Sequence, residues 1–118
     1  MRVYGFEKLQ VWQEARGLAK AVYQLTQTFP DSEKYGLVSQ IRRASISVAS
    51  NIAEGAGRSG EKERQQFYRM AYSSLMELLN QLIISVDLDF LAKEDVDKDL
   101  RPRIESISSK LFSLKGKR

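Results

Sequence analysis

Apolar side chains recur along the chain at alternating spacings of three and four residues, which is the period of an amphipathic α-helix. The first of these stripes predicts a helix over residues 7–28. That helix is expected to stop at the Phe29-Pro30 pair, because proline disfavours a helical conformation in the residue before it. The apolar positions of the stripe are Val11, Ala15, Leu18, Val22, Leu25 and Phe29.

Three more stripes predict three more helices. Asp31 and Ser32 follow Pro30 and offer the side chains that cap a second helix. A glycine-rich break then separates the second stripe from the third, and an acidic turn separates the third from the fourth. The four predicted helices span residues 7–28, 33–56, 60–87 and 94–114.

The resulting fold class is all-α, an up-down-up-down antiparallel four-helix bundle. No segment alternates with period two, and 118 residues suffice for a single domain with one core. Pro102 lies inside the fourth stripe, so we expect that helix either to kink or to restart there. Residues 115–118 are expected to fray.

Residues 40–58 carry too few polar positions for an ordinary surface helix. One face is a core stripe through Ile41 and Val48, and a polar line runs along another face to Arg58. A third sector is small or apolar where a lone helix would meet water, so we predict an oligomer interface there. Its residues are Ile46, Ala49 and Ala53.

The polar line has two interpretations. It is an ordinary solvated face, or it contributes to a hydrogen-bonded polar layer between helices that fixes their register. The second interpretation depends on two pairs of residues. Asn51 and Glu54 lie between the apolar faces of the second helix, and Glu77 and Gln81 lie beside the apolar stripe of the third.

The composition argues against catalysis. The chain has no cysteine and no histidine, which removes disulfides, thiolate nucleophiles, the commonest general base and the commonest metal ligand. We therefore expect no enzyme activity, no cofactor and no metal site. No apolar run is long enough for a membrane span and no signal peptide is evident, so a cytoplasmic protein without a membrane partner is expected.

Gly55-x-Gly57-x-x-Gly60 matches the spacing of a dinucleotide-binding loop, but that loop needs a strand before it and here a helix precedes it. We therefore interpret the glycines as a helix stop followed by a tight connection. A reduced alternative remains, in which Arg58 and the start of the third helix hold a phosphate.

The net charge of +4 is modest, but cations cluster around this glycine break. They form a candidate surface for nucleic-acid backbone, and the alternative is ion pairing with Glu54, Glu61, Glu63 or Glu77. The candidate binding residues are Arg42, Arg43, Arg58, Lys62, Arg64 and Arg69.

Aromatic side chains could stack on bases, but their helical spacing beside aliphatic residues favours places in the core. The residues in question are Trp12, Tyr23, Phe29, Tyr35, Phe67 and Tyr68.

Several of these segments, taken together, resemble the 23S rRNA intervening-sequence protein family. The motifs that carry the resemblance are Phe6-x-x-Leu9-x-Val11-Trp12-x-x-Ala15, Tyr35-Gly36-Leu37, Gln40-Ile41-Arg42-Arg43-Ala44, Asn51-Ile52-Ala53-Glu54-Gly55-x-Gly57-Arg58 and Ala71-x-x-Ser74-x-x-Glu77.

The resemblance implies a small bacterial four-helix bundle, labelled a ribosomal protein after reading frames within 23S rRNA genes. The family is similar to accessory proteins of diversity-generating retroelements, which form pentameric rings, bind nucleic acid and associate with a reverse transcriptase. The basic positions that match the motif are Arg42, Arg43 and Arg58. The resemblance supplies no catalytic residues.

Two functions are therefore expected to compete. The first is a non-enzymatic homo-oligomer, a pentamer by resemblance, that binds structured RNA or DNA through phosphate contacts and has a reverse transcriptase or another protein as a possible partner. The second is a protein-interaction scaffold with no nucleic-acid role.

Overall fold

The computed structural model describes residues 1–116, and their side chains through residue 114. Within that range the chain is all-α, which confirms the predicted fold class. Lys115 and Gly116 continue the last helix, whereas the fraying expected for Lys117 and Arg118 lies outside the described residues. The elements are a 3₁₀ turn Gly5–Lys8, α1 (Gln10–Thr26), a 3₁₀ turn Asp31–Glu33, α2 (Leu37–Ala56), α3 (Glu61–Asp87), α4 (Lys93–Asp95), a π-helical turn Val96–Leu100 and α5 (Arg101–Gly116).

The helices form a bundle in which each one packs against its neighbours in sequence, and α5 closes the bundle against α1. The bundle measures 43 × 31 × 21 Å. Its long dimension is close to the ~40 Å expected for the 27 residues of α3 at ~1.5 Å per residue. The bundle is therefore about one long helix in length and two helices thick.

One hydrophobic core runs along the bundle axis, and the predicted stripes supply it. The stripe positions are spaced by three or four residues, so each helix turns one continuous face inward. The best-buried large side chains are Leu18 and Val22 from α1, Ile41, Val48 and Ile52 from α2, Leu75, Leu78 and Leu82 from α3, Leu100 from the π-helical turn and Ile107 from α5.

The first helix begins later than predicted, at Gln10. Residues 5–8 form a 3₁₀ turn instead, in which the Glu7 carboxylate accepts a hydrogen bond of 2.8 Å from the Tyr4 N–H. Leu9 then adopts extended backbone angles. The helix also ends earlier, at Thr26, whose hydroxyl donates to the Val22 carbonyl at 2.8 Å.

The second helix begins at Leu37, four residues later than predicted. Residues 31–33 instead form a separate 3₁₀ turn, closed by the Glu33 N–H donating to the Pro30 carbonyl at 2.9 Å. The Glu33 carboxylate then accepts from the Leu37 N–H at 3.3 Å, so it caps the helix from outside.

The glycine break ends α2 at Ala56, as the sequence predicts. Gly55 lies where α2 and α3 approach each other closely. A Cβ atom there would lie 2.9 Å from the Cβ of Phe67 and 2.9 Å from Cε1 of Tyr68. Glycine is thus required at position 55 by the closeness of α3.

The fourth bundle helix contains a π-helical turn directly before Pro102. The Arg101 N–H donates to the Val96 carbonyl, five residues earlier. A proline ring collides with the carbonyl four residues before it and has no N–H to donate, and a widened turn relieves that collision. The sequence predicts that Pro102 either kinks the helix or makes it restart nearby. In the structure the helix widens into the π-helical turn and resumes as α5 at Arg101.

Candidate nucleic-acid interface

The six candidate cations do not form one patch. Arg42 and Arg43 lie in the first half of α2, whereas Arg58 follows its end. Since an α-helix rises ~1.5 Å per residue, residues 43 and 58 are about 22 Å apart along α2. Lys62 and Arg64 lie at the start of α3, near Arg58.

Arg42 is bound to the end of α1. Its Nε donates to the Thr26 hydroxyl at 2.9 Å and its Nη2 to the Tyr23 carbonyl at 3.2 Å. The guanidinium carbon also lies 4.5 Å from the centre of the Tyr23 ring. A cation at a helix C-terminus complements the negative end of the helix dipole. Arg42 therefore has a structural role in joining α1 to α2.

Arg43, the next residue, is exposed and makes no hydrogen bond or ion pair with the residues that the structure describes. It borders two grooves. One is a polar groove between α2 and α3, shared with Gln40, Ser47 and Glu77. The other lies beside the connection from α1 to α2. Arg43 is thus free to bind an anion.

Arg58 and Arg64 follow the ion-pairing alternative. Arg58 lies 4.0 Å from the Glu54 carboxylate and 4.7 Å from the centre of the Phe67 ring. Arg64 forms an ion pair of 2.6 Å with Glu61. Its Nη1 also donates to the carbonyls of residues 58 and 59, at 3.1 and 3.0 Å, which ties the glycine-rich connection to α3.

Lys62 and Arg69 are exposed, and neither forms an ion pair within residues 1–116. Arg69 follows Lys62 by seven residues, which places both side chains on the same face of α3, and it lines a groove against α5 with Tyr72, Leu111 and Phe112. Three of the six candidates, Arg43, Lys62 and Arg69, are thus uncommitted among the described residues. Lys62 and Arg69 share a face of α3, whereas Arg43 lies on α2.

The predicted polar layer is only partly connected. Asn51 is buried, and its Nδ2 donates to the carbonyl and the hydroxyl of Ser47, at 2.9 and 3.1 Å. The Ser47 hydroxyl lies 2.8 Å from the hydroxyl of Ser74 on α3. This serine pair, which the sequence analysis did not single out, is the hydrogen bond that crosses from α2 to α3.

The other three members of the predicted layer make no hydrogen bond between α2 and α3 among the described residues. Gln81 is buried and its Nε2 lies 3.4 Å from the Glu77 carboxylate, while its Oε1 has no partner among the described residues. Glu54 is exposed and faces Arg58. The structure therefore does not bring all four residues into one hydrogen-bonded layer.

The predicted oligomer interface lies on the side of α2 that also carries Arg42, since positions 42, 46, 49 and 53 repeat at helical spacing. Ile46 is 46% exposed, whereas Ala49 and Ala53 are half-buried. Ile46 is therefore the main apolar side chain that this sector exposes.

Two aromatic residues depart from the prediction of core positions. Phe29 and Tyr68 are buried, and Trp12 and Phe67 are half-buried. Tyr23 and Tyr35 are instead 40% and 89% exposed, so the prediction is wrong for them. Tyr35 directly precedes Gly36 in a connection outside the helical repeat. That position could have indicated from the sequence that its side chain is exposed.

A charged cluster holds α1 against α5 on another face. The Glu14 carboxylate accepts from the Ser106 hydroxyl at 2.6 Å and pairs with Lys110 at 2.9 Å. Burial by itself would raise the pKa of Glu14, but hydrogen bonds from Ser106, Lys110 and Gln10 outweigh it and hold this pKa below its ordinary value. Burial raises the pKa of Tyr68.

Within residues 1–116, no cluster of three or more acidic side chains is placed to hold a metal ion. None of the helices in that range has the length and hydropathy of a membrane span.

The fold and its exposed cations define a small all-α four-helix-bundle protein with a partly basic surface. The family model described as 23S rRNA-intervening sequence protein matches residues 7–113. The chain therefore belongs to this family, which confirms the resemblance seen in its motifs.

A solved structure gives the same fold. A crystal structure of a protein with unknown function from the S23 ribosomal protein family of Bacteroides thetaiotaomicron VPI-5482 is similar with a TM-score of 0.82 and 17% identity, over 91% of this chain and 99% of that chain. At this identity the similarity shows the fold alone. The search of curated proteins finds no match.

Proposed function

We propose that the protein is a non-enzymatic, homo-oligomeric accessory protein that binds the backbone of RNA or DNA. The observation that carries this proposal is the set of exposed cations, Arg43, Lys62 and Arg69, that have no ion-pair partner among the described residues. Unpaired surface cations gain most from a phosphate, because binding releases counterions without breaking an internal contact. The absence of histidine and cysteine from the sequence supports a role without catalysis.

Location, assembly and partner are further parts of the proposal. A cytoplasmic, bacterial protein fits a chain without cysteine. The family resemblance supports a pentameric ring and association with a reverse transcriptase. No cofactor or metal is required for backbone binding.

The test is a titration of labelled RNA and DNA at ~50 mM salt and at higher salt. The informative variant is R43E/K62E, which reverses two uncommitted cations. The matched control is K8E/K20E, which lowers the net charge equally at exposed lysines elsewhere. We expect R43E/K62E to lose affinity for polyanions while the control keeps most of it. Failure of the wild-type protein to bind either polymer at low salt would refute the proposal.

A protein-interaction scaffold is the second candidate, and a specific observation favours it. Near the end of α3, Ile83, Ile84 and Leu88 are 43%, 41% and 53% exposed. Exposed apolar side chains that are neighbours on one helix commonly mark protein contacts. If the protein is a scaffold, R43E/K62E should still bind the partner protein, and an Ile84→Glu variant should not.

The charge test should avoid Arg42 and Arg58. Reversal of Arg42 would break its contacts with Thr26 and Tyr23, and reversal of Arg58 would disturb the turn between α2 and α3. A loss of binding in those variants would not separate lost phosphate contacts from a damaged fold.

A further inference from the structure

We propose that the groove beside the α1 to α2 connection binds single-stranded nucleic acid, with a base stacked on Tyr35 and phosphates held by Lys34, Arg42 and Arg43. The proposal rests on the nucleic-acid role proposed above and narrows it from any polyanion to unpaired strands. It also names the part of the surface that distinguishes a single strand from a duplex.

The groove combines exposed aromatic rings with cations. It is shallow, has a volume of about 360 Å³, and its lining includes Tyr23, Lys34, Tyr35, Arg42 and Arg43. This volume lies within the range of small-ligand sites. None of the lining side chains is acidic. The neighbouring carboxylate of Glu33 is directed at the Leu37 N–H, 3.3 Å away.

Tyr35 supplies a platform for a base. Its side chain is 89% exposed, so most of the ring surface is free. Bases stack on aromatic side chains with little regard to sequence, because every base has a π face. The ammonium group of Lys34 lies 5.5 Å from the centre of this ring, so a base on Tyr35 would bring its own phosphate close to a cation.

Arg42 and Arg43 supply the other phosphate contacts. Arg42 is positioned by Thr26 and Tyr23, and those hydrogen bonds use only two of the five N–H donors of a guanidinium group. Arg43 uses none of its donors within the described residues. The groove thus offers one cation held by hydrogen bonds, Arg42, and one cation with all its donors available, Arg43, beside the exposed ring.

The geometry favours a single strand over a duplex. In a duplex the bases are stacked on one another and paired, so a surface tyrosine reaches them only if the helix is opened. A duplex would still meet the cations through its backbone. Loss of the Tyr35 ring should therefore affect single strands selectively, whereas loss of a cation should weaken both.

The test measures fluorescence anisotropy of a labelled ~20-nucleotide single strand and of the matching duplex with the full chain. We expect Tyr35→Ala to weaken single-strand binding roughly tenfold or more and to leave duplex binding within about twofold of wild type. Tyr35→Phe should bind like wild type, since it keeps the ring. Arg43→Gln should weaken both complexes.

The matched control is Tyr4→Ala. Tyr4 is also exposed, at 57%, and also lies beside an arginine, with the Arg2 guanidinium 5.2 Å from its ring centre, but it precedes α1 at the opposite end of that helix. We expect the control to bind like wild type. Circular dichroism of each variant checks that the helices are intact.

Three results would refute binding at this groove, and they differ in whether they also refute the proposed function. If Tyr35→Ala binds single strands like wild type while both polymers still bind, the groove is wrong and the proposed function stands. If the wild-type protein binds neither polymer, both proposals fail. If Tyr4→Ala and Tyr35→Ala lose affinity equally, binding does not depend on this site and the groove is again wrong.

Discussion

The hydroxyl groups of Ser47 and Ser74 lie 2.8 Å apart and link α2 to α3 at the middle of their contact. Asn51 donates to the same Ser47 hydroxyl at 3.1 Å, so three polar side chains are bonded in series. Apolar packing tolerates small shifts of one helix along another, whereas a hydrogen bond across the seam specifies which residues are opposite. The pair therefore fixes the register of the two central helices.

Replacing Ser47 with alanine should lower the free energy of unfolding by about 1 kcal/mol, because Ser74 and Asn51 each lose a partner in a half-buried place. Ser74→Ala should cost a similar amount, and the double variant should cost less than the sum of the two. Urea denaturation measures all three. Ser73→Ala, at an exposed neighbouring position, is the control. Strict additivity of Ser47→Ala and Ser74→Ala would show that the two hydroxyls do not interact.

Gly55→Ala should destabilise the bundle by about 1–3 kcal/mol, because the added methyl group would lie 2.9 Å from Phe67 and Tyr68 on α3. Gly57→Ala is the matched control in the same segment. The nearest atom to a Cβ there is 3.6 Å away and its φ of −86° suits alanine, so this variant should be neutral or slightly stabilising. Thermal unfolding of the two variants gives the comparison, and equal melting temperatures would contradict the close approach of α2 and α3.

Arg42→Ala and Arg43→Ala should differ in stability although the residues are adjacent. The first removes two hydrogen bonds to the end of α1 and a contact with the Tyr23 ring, and should lower the free energy of unfolding by about 1–2 kcal/mol. The second removes an exposed, unpaired side chain and should change it by less than about 0.5 kcal/mol. Chemical denaturation distinguishes them. A reversed order would mean that Arg43 is the cation that supports the fold.

Glu14→Gln should change the pH dependence of stability. The pKa of Glu14 is lowered in the folded state, so its ionised form stabilises the fold. That contribution is complete above the ordinary value of 4.5 and is lost as pH falls through the lower folded-state pKa. The stability difference between wild type and Glu14→Gln should thus be largest near neutral pH and shrink in acid. Urea midpoints at several pH values measure this difference, with Glu105→Gln at an exposed position of α5 as the charge-matched control, and a difference that does not shrink in acid would contradict the role of the Glu14 carboxylate.

The sequence was sufficient for the helices and the core because both depend on a periodic pattern. Residues such as Leu18, Ile41 and Leu78 are buried where the stripes place them. The residues at which the helices begin were harder to predict from the sequence. Residues 31–33 form a 3₁₀ turn, and α2 begins only at Leu37, after Gly36. That start depends on Gly36 and on the packing of the connection, and neither leaves a periodic pattern in the sequence.

The candidate site was less predictable because it depends on partners distant in sequence. The hydroxyl that binds Arg42 belongs to Thr26, 16 residues earlier, and the hydroxyl that meets Ser47 belongs to Ser74, 27 residues later. Sequence spacing reports neighbours within one helix, so it groups Arg42 with Arg43 although only Arg43 is uncommitted. It also assigns Tyr23 to the core, next to buried Val22, where the structure turns it outward.

The π-helical turn before Pro102 accommodates one residue more than an α-helical turn would. Val96, Leu100 and Ile104 follow one another at two successive steps of four, and all three are buried. In a regular α-helix two such steps would rotate the first side chain about 80° away from the third. A single-residue deletion at the exposed Lys98, combined with Pro102→Ala, would convert the segment to plain α-helix and keep Val96 on the core face, about 20° from Ile104. The segment can therefore lose one residue without changing which of these side chains face the core.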